Sequence, residues 1–96
     1  MFVVIVRFSF RTDAFETARE AMRELAPLMR AEDGMLRFDA LVSDDDGVLA
    51  FDELWRDSEA WQRHVANRPA AIATLARTIA GGFAEPPEVR TYTLLA

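Results

Sequence analysis

The sequence predicts an α+β sandwich in which a four-stranded antiparallel sheet carries helices on one face. Three observations predict it. Four short stretches are rich in β-branched and aromatic residues, two longer ones carry apolar residues at helical spacing, and they follow one another as strand, helix, strand, strand, helix pair, strand. That order is the split βαβ pattern of a ferredoxin-like sandwich. With 96 residues and no linker, low-complexity tract or short-period repeat, positions 1–96 read as a single domain.

Phe2 to Phe10 is β-branched or aromatic almost without a break, as in a strand covered on two sides. Asp13 and Glu16 have the spacing of a capping box. Phe15, Ala18, Met22, Leu25 and Met29 then recur at helical spacing, which predicts a helix over 13–31 with Gly34 as its stop and a kinked or separate last turn at Pro27. Met35 to Ser43 alternates, with Leu36, Phe38, Ala40 and Val42 on one side. The turn at Asp44 to Gly47 joins it to a second run, Val48 to Trp55, and the two form a hairpin. Asp57 or Ser58 caps a short helix carrying Ala60, Trp61, His64 and Val65. Pro69 restarts a helix bearing Ile72, Leu75 and Ile79, which Gly81 and Gly82 end. After a proline-rich loop, Val89 to Leu95 is the final strand.

Helices on one face leave the other face of the sheet to water or a partner, and here both faces carry apolar residues. On the first strand Phe2, Val4, Val6, Phe8 and Phe10 alternate with Val3 and Ile5. On the third, Leu49, Phe51 and Trp55 alternate with Val48, Ala50 and Leu54. Alternation alone does not fix which set meets the helices, because a one-residue slip exchanges them. Either set would be a large exposed patch on a monomer, so the expectation is a homodimer through sheet faces.

Composition narrows the partners. Sixteen acidic residues against eleven basic ones give a formal charge of −5, and the basic residues, all arginines, are dispersed from Arg7 to Arg90. Nucleic acid and anionic membrane are therefore not expected partners. The absence of cysteine excludes disulfides, thiolate metal sites and thiol nucleophiles and fits the cytoplasm. The apolar start, Met1 to Phe8, is too short to span a bilayer. No metal site is expected, since Asp44 to Asp46 form an acidic turn without further oxygen ligands.

The stretch from Leu49 to His64 holds both tryptophans, Trp55 and Trp61, and the chain's only histidine. Glu53 is in phase with Leu49, Phe51 and Trp55, and a carboxylate on an apolar strand face must find a partner or change its pKa. Its candidate partners are His64, Arg7, or an arginine of a second subunit. Trp61 and His64 share a helical face. Trp55 and Trp61 fit a core role as well as a ligand-contacting one.

Glu32 and Gly34 leading into Phe38, then Phe51, Glu53 and Trp55 on one strand, then an acidic cap and His64 on the short helix, resemble the antibiotic biosynthesis monooxygenase family of the dimeric α/β-barrel superfamily. The resemblance implies a ferredoxin-like subunit, a dimer whose sheets face each other as a barrel, and a small-molecule cavity between sheet and helices. It also implies oxidation of a small aromatic hydroquinone or polyketide-like phenol by dioxygen without a cofactor. The haem-degrading branch of that fold relies on an asparagine on the first strand and a histidine beyond the short helix, and this sequence has neither. On this reading His64 is the base, Glu53 orients it, and Trp61, Trp55, Phe38, Phe51 and Phe83 surround the substrate. The alternative is a non-enzymatic small-ligand-binding or stress-response dimer on the same scaffold.

Overall fold

The computed structural model describes residues 1–43 and 46–96. The four strands are β1 (Phe2–Ser9), β2 (Met35–Ser43), β3 (Val48–Trp55) and β4 (Glu88–Thr93), joined antiparallel in the order β2-β3-β1-β4. The helices are α1 (Phe15–Arg30), α2 (Ser58–Ala66) and α3 (Ala70–Ala80). This is the ferredoxin-like arrangement expected from the sequence. Asp44 and Asp45, in the expected acidic turn, lie outside the described residues.

The register settles which face is inside. Val4 pairs with Glu53, Val6 with Phe51 and Phe8 with Leu49, while across β2 Phe38 pairs with Glu53. Paired residues of an antiparallel ladder share a face, and Val4, Phe8, Phe38, Leu49, Phe51 and Trp55 are all buried. That set meets the helices. The opposite face presents Val3, Ile5, Ala50 and Leu54, together with exposed Leu41 and Tyr92. It also carries Arg37, bonded to Asp39 at 2.8 Å and to Asp52 at 3.2 Å.

Three local expectations are corrected. Residues Thr12–Ala14 form a 3-10 turn, so Asp13 lies inside a helical turn, where it pairs with Arg11 at 3.4 Å; α1 starts without a side-chain cap. Pro27 does not set off a separate last turn, since α1 is one helix that runs on to Arg30. A proline in a helix interior costs about 3 kcal/mol, and burial of Ala26 and Met29 on either side of it offsets that loss. A bulge between Met35 and Arg37 puts Leu36 out of phase with Phe38, leaving Leu36 exposed.

Gly34 is the position that sets the next layer. Its φ is +85°, and a Cβ there would stand 2.5 Å from the Cβ of Ala60 in α2. Only glycine permits this approach. The loop is pinned to the end of β3 by the Arg56 amide, which donates to the Gly34 carbonyl at 2.7 Å. Residues 31–34 consequently lie against α2, whose own start is capped by Asp57 accepting from the Ala60 amide at 2.8 Å.

Candidate active site

Helix α1 covers the sheet on the β2 side, and α2 and α3 stand over the rest, without filling the space beneath them. The result is a cavity of about 490 Å³. Its floor is Val4, Val6 and Phe8 of β1, Phe51 and Glu53 of β3 and Val89 of β4; its walls include Leu25 and Met29 of α1, Trp61, His64 and Val65 of α2, and Ile72, Ala76 and Ile79 of α3. Arg68, Phe83 and Pro87 complete it. A volume of this size accommodates a small aromatic molecule.

One wall is aromatic. Phe8 meets Phe51 edge-on at 4.8 Å and stacks with Phe83 at 5.7 Å, and Phe2 backs Trp61 at 5.5 Å. Phe83 is held there because the strand path of β1 continues through a bridge from Phe10 to Phe83. The ionisable groups lining this apolar space are Glu53, His64 and Arg68.

Glu53 is only 4 % exposed, and its Oε1 accepts from the Trp55 indole at 2.8 Å. Burial pushes its carboxyl up to about 7, against the opposing pull of the Trp55 hydrogen bond and the Arg68 charge. At neutral pH it therefore exchanges readily between acid and carboxylate. Arg68, in the link between α2 and α3, makes no hydrogen bond or salt bridge with any described residue, and its charge acts on Glu53 within the same cavity.

His64 occupies the last turn of α2, its ring 5.2 Å from that of Trp55. Its Nδ1 lies 2.7 Å from Oε1 of Glu32. Its Nε2 has no hydrogen-bond partner among the described residues, and none of their fully buried side-chain nitrogens or oxygens is left unsatisfied, so Nε2 is not fully buried.

The sequence pattern of the antibiotic biosynthesis monooxygenases matches residues 1–75. The chain belongs to the antibiotic biosynthesis monooxygenase family. Solved structures agree with this family assignment: a Nitrosomonas europaea protein named for the same family is 32 % identical, with a TM-score of 0.89 and full coverage of both chains. Another antibiotic biosynthesis monooxygenase is 25 % identical over the whole of both chains, with a TM-score of 0.88. A Mycobacterium tuberculosis protein is 26 % identical, with a TM-score of 0.86 over 99 % of this chain and 95 % of its own. No curated protein matches the sequence.

Within this family member, the residues singled out from sequence separate into two layers. Glu53, His64, Trp61, Phe51 and Phe83 line the cavity. Trp55 and Phe38 do not: at 0 % and 1 % exposure they are core, and Trp55 reaches the site through its one hydrogen bond to Glu53 and its packing on His64. The expected Glu53–His64 pair is not formed, because Glu32 takes the imidazole and Trp55 takes the carboxyl. Arg7 is no alternative partner for Glu53, since it pairs with Ala50 on the opposite face of the sheet. Arg68 was not anticipated as a cavity residue, and no periodicity marks it. Among the described residues no cluster of three or more His, Asp or Glu suits a metal ion, and no helix is long and apolar enough to cross a membrane.

Proposed function

We propose that this family member is a cytoplasmic homodimer that oxidises a small aromatic hydroquinone or polyketide-like phenol with dioxygen and without a cofactor. The observation that carries the reading is the apolar, partly aromatic cavity lined by the His64 imidazole, a near-neutral carboxyl and the Arg68 guanidinium.

Triplet dioxygen reacts slowly with closed-shell organic molecules, so a reaction without metal or flavin depends on a substrate anion that gives up an electron. His64 Nε2 takes the phenolic proton as general base. Arg68 stabilises the phenolate, whose charge persists in a space largely stripped of water. Glu53, close to half protonated at neutral pH, donates to or accepts from a second ring oxygen. The phenolate passes one electron to dioxygen, the two radicals combine as a peroxide, and cleavage of its O–O bond leaves one oxygen atom on the ring and releases the other as water. Both hydrogens lost by the substrate end in that water.

The dimer forms through the open sheet face, where Ile5, Leu41, Leu54 and Tyr92 supply apolar surface and the Arg37–Asp39–Asp52 cluster supplies register. A sedimentation peak at monomer mass at micromolar concentration refutes it. Oxygen uptake by metal-stripped protein with a panel of hydroquinones and anthrones tests the activity. Binding of these compounds without oxygen uptake makes the protein a non-enzymatic ligand-binding dimer instead.

A further inference from the structure

Among the described residues, His64 alone lines both the large cavity and a second, polar pit of about 130 Å³ on the surface. Glu32, Asp33, Arg63 and Asn67 form the rest of that pit with Ala60. The imidazole is therefore a partition between an apolar chamber and a polar one.

Glu32 stands on the polar side. Its carboxylate, 20 % exposed, meets His64 Nδ1 at 2.7 Å, where the imidazole is 6 % exposed. An ionised carboxylate only accepts, so the neutral imidazole places its hydrogen on Nδ1 and its lone pair on Nε2. The neighbouring charges leave this pair intact. Arg63 lies 3.9 Å from Asp33 and Arg56 lies 3.6 Å from it, so both cations are engaged by Asp33 rather than Glu32. Across the cavity the facing charged groups are Glu53 and Arg68. The backbone also fixes Glu32: its amide donates to the Met29 carbonyl and its carbonyl accepts from the Met35 amide, both at 3.1 Å.

We propose that Glu32 is the positioning residue for His64 and the store for the proton that His64 removes from the substrate. The proposal rests on the phenol-oxidation reading and deepens it. As the substrate O–H bond breaks and the Nε2–H bond forms, the Nδ1 proton passes to Glu32, giving a carboxylic acid in contact with water in the pit. When the peroxide O–O bond breaks, Nε2 gives its proton to the departing oxygen and Glu32 returns one to Nδ1. The imidazole ends in its starting tautomer, with no net change at either residue.

Because His64 is the only histidine, its imidazole nitrogen signals in a ¹⁵N-labelled sample identify themselves. At pH 8.5 the wild type is expected to show the Nδ1–H tautomer, Glu32→Gln to retain it through its amide oxygen, and Glu32→Ala to revert to Nε2–H. Oxygen uptake with 1,4-dihydroxynaphthalene or anthrone should fall roughly tenfold or more in both variants. Acetate should restore the rate in Glu32→Ala but not in Glu32→Gln. Circular dichroism establishes that each variant is folded. An Nδ1–H tautomer persisting in Glu32→Ala overturns the positioning role, and a wild-type rate in Glu32→Gln overturns proton storage. Absence of oxygen uptake by the wild type refutes the oxidation reading and proton storage with it, while the tautomer comparison still decides positioning.

Discussion

Replacing Glu53 by glutamine isolates the cost of placing a carboxyl on the floor of an apolar cavity. The amide keeps the shape and the acceptor for the Trp55 indole, and removes only the ionisation. Burial raises the Glu53 carboxyl from an ordinary 4.5 to about 7. Within that window the unfolded chain has already released the proton that the folded chain still holds, so stability falls as pH rises and levels off above 7. At about 1.4 kcal/mol per pH unit, the full penalty is about 3 kcal/mol. Urea denaturation followed by tryptophan fluorescence, at one fixed protein concentration, measures it. Since the pI is near 4.7 and low net charge promotes precipitation, the useful range is roughly pH 5.5 to 8.5. Over it the stability of Glu53→Gln relative to wild type should grow by about 2 kcal/mol. Other titrating groups are common to both proteins and cancel. A difference that stays constant across this range refutes the buried, near-neutral carboxyl.

Four further outcomes follow from the same geometry. Gly34→Ala should destabilise by about 2–4 kcal/mol in urea melts, combining a positive φ with a Cβ 2.5 Å from Ala60. Trp55→Phe removes the indole donor and leaves a buried acceptor unpaired, costing about 2–3 kcal/mol by the same measurement. His64→Ala should lower oxygen uptake with a responsive hydroquinone by about 10²–10⁴-fold, read with a Clark electrode. Ile5→Asp, on the open sheet face at 39 % exposure, should convert a dimer to monomer in sedimentation; in an obligate monomer the change is worth no more than about 0.5 kcal/mol.

The strands were legible because alternation is a local property: the predicted ranges Met35–Ser43 and Val48–Trp55 are those of β2 and β3. Local signals also misled where tertiary packing dominates. Pro27 reads as the site of a kinked or separate last turn, yet α1 runs on as one helix to Arg30, with Met29 held in the core. Trp55 and Phe38 read as ligand contacts because aromatic residues suit either role, and burial assigns both to the core. The larger error concerns the partner of His64. Glu53 is eleven positions away on an adjacent element, whereas Glu32 is thirty-two away and reaches the imidazole only because Gly34 lets its loop close on Ala60. That approach depends on backbone geometry at one glycine and leaves no periodic trace. Arg68 escaped for a related reason, since it lies in a three-residue link between helices where no repeat reports direction.

Strand β4 bonds to a single neighbour, β1, and all six of its residues are exposed, yet its Val89 forms part of the cavity floor. The chamber floor is thus paired on both sides at its centre and on one side only at β4. A strand held along one edge opens at lower free energy than the sheet centre, so outward movement of β4 enlarges the chamber without disturbing Glu53 or His64. Tolerance for bulky substituents should accordingly be concentrated on the side of a ligand that faces Val89, while the part over Phe51, on the twice-paired strand β3, is held to closer dimensions.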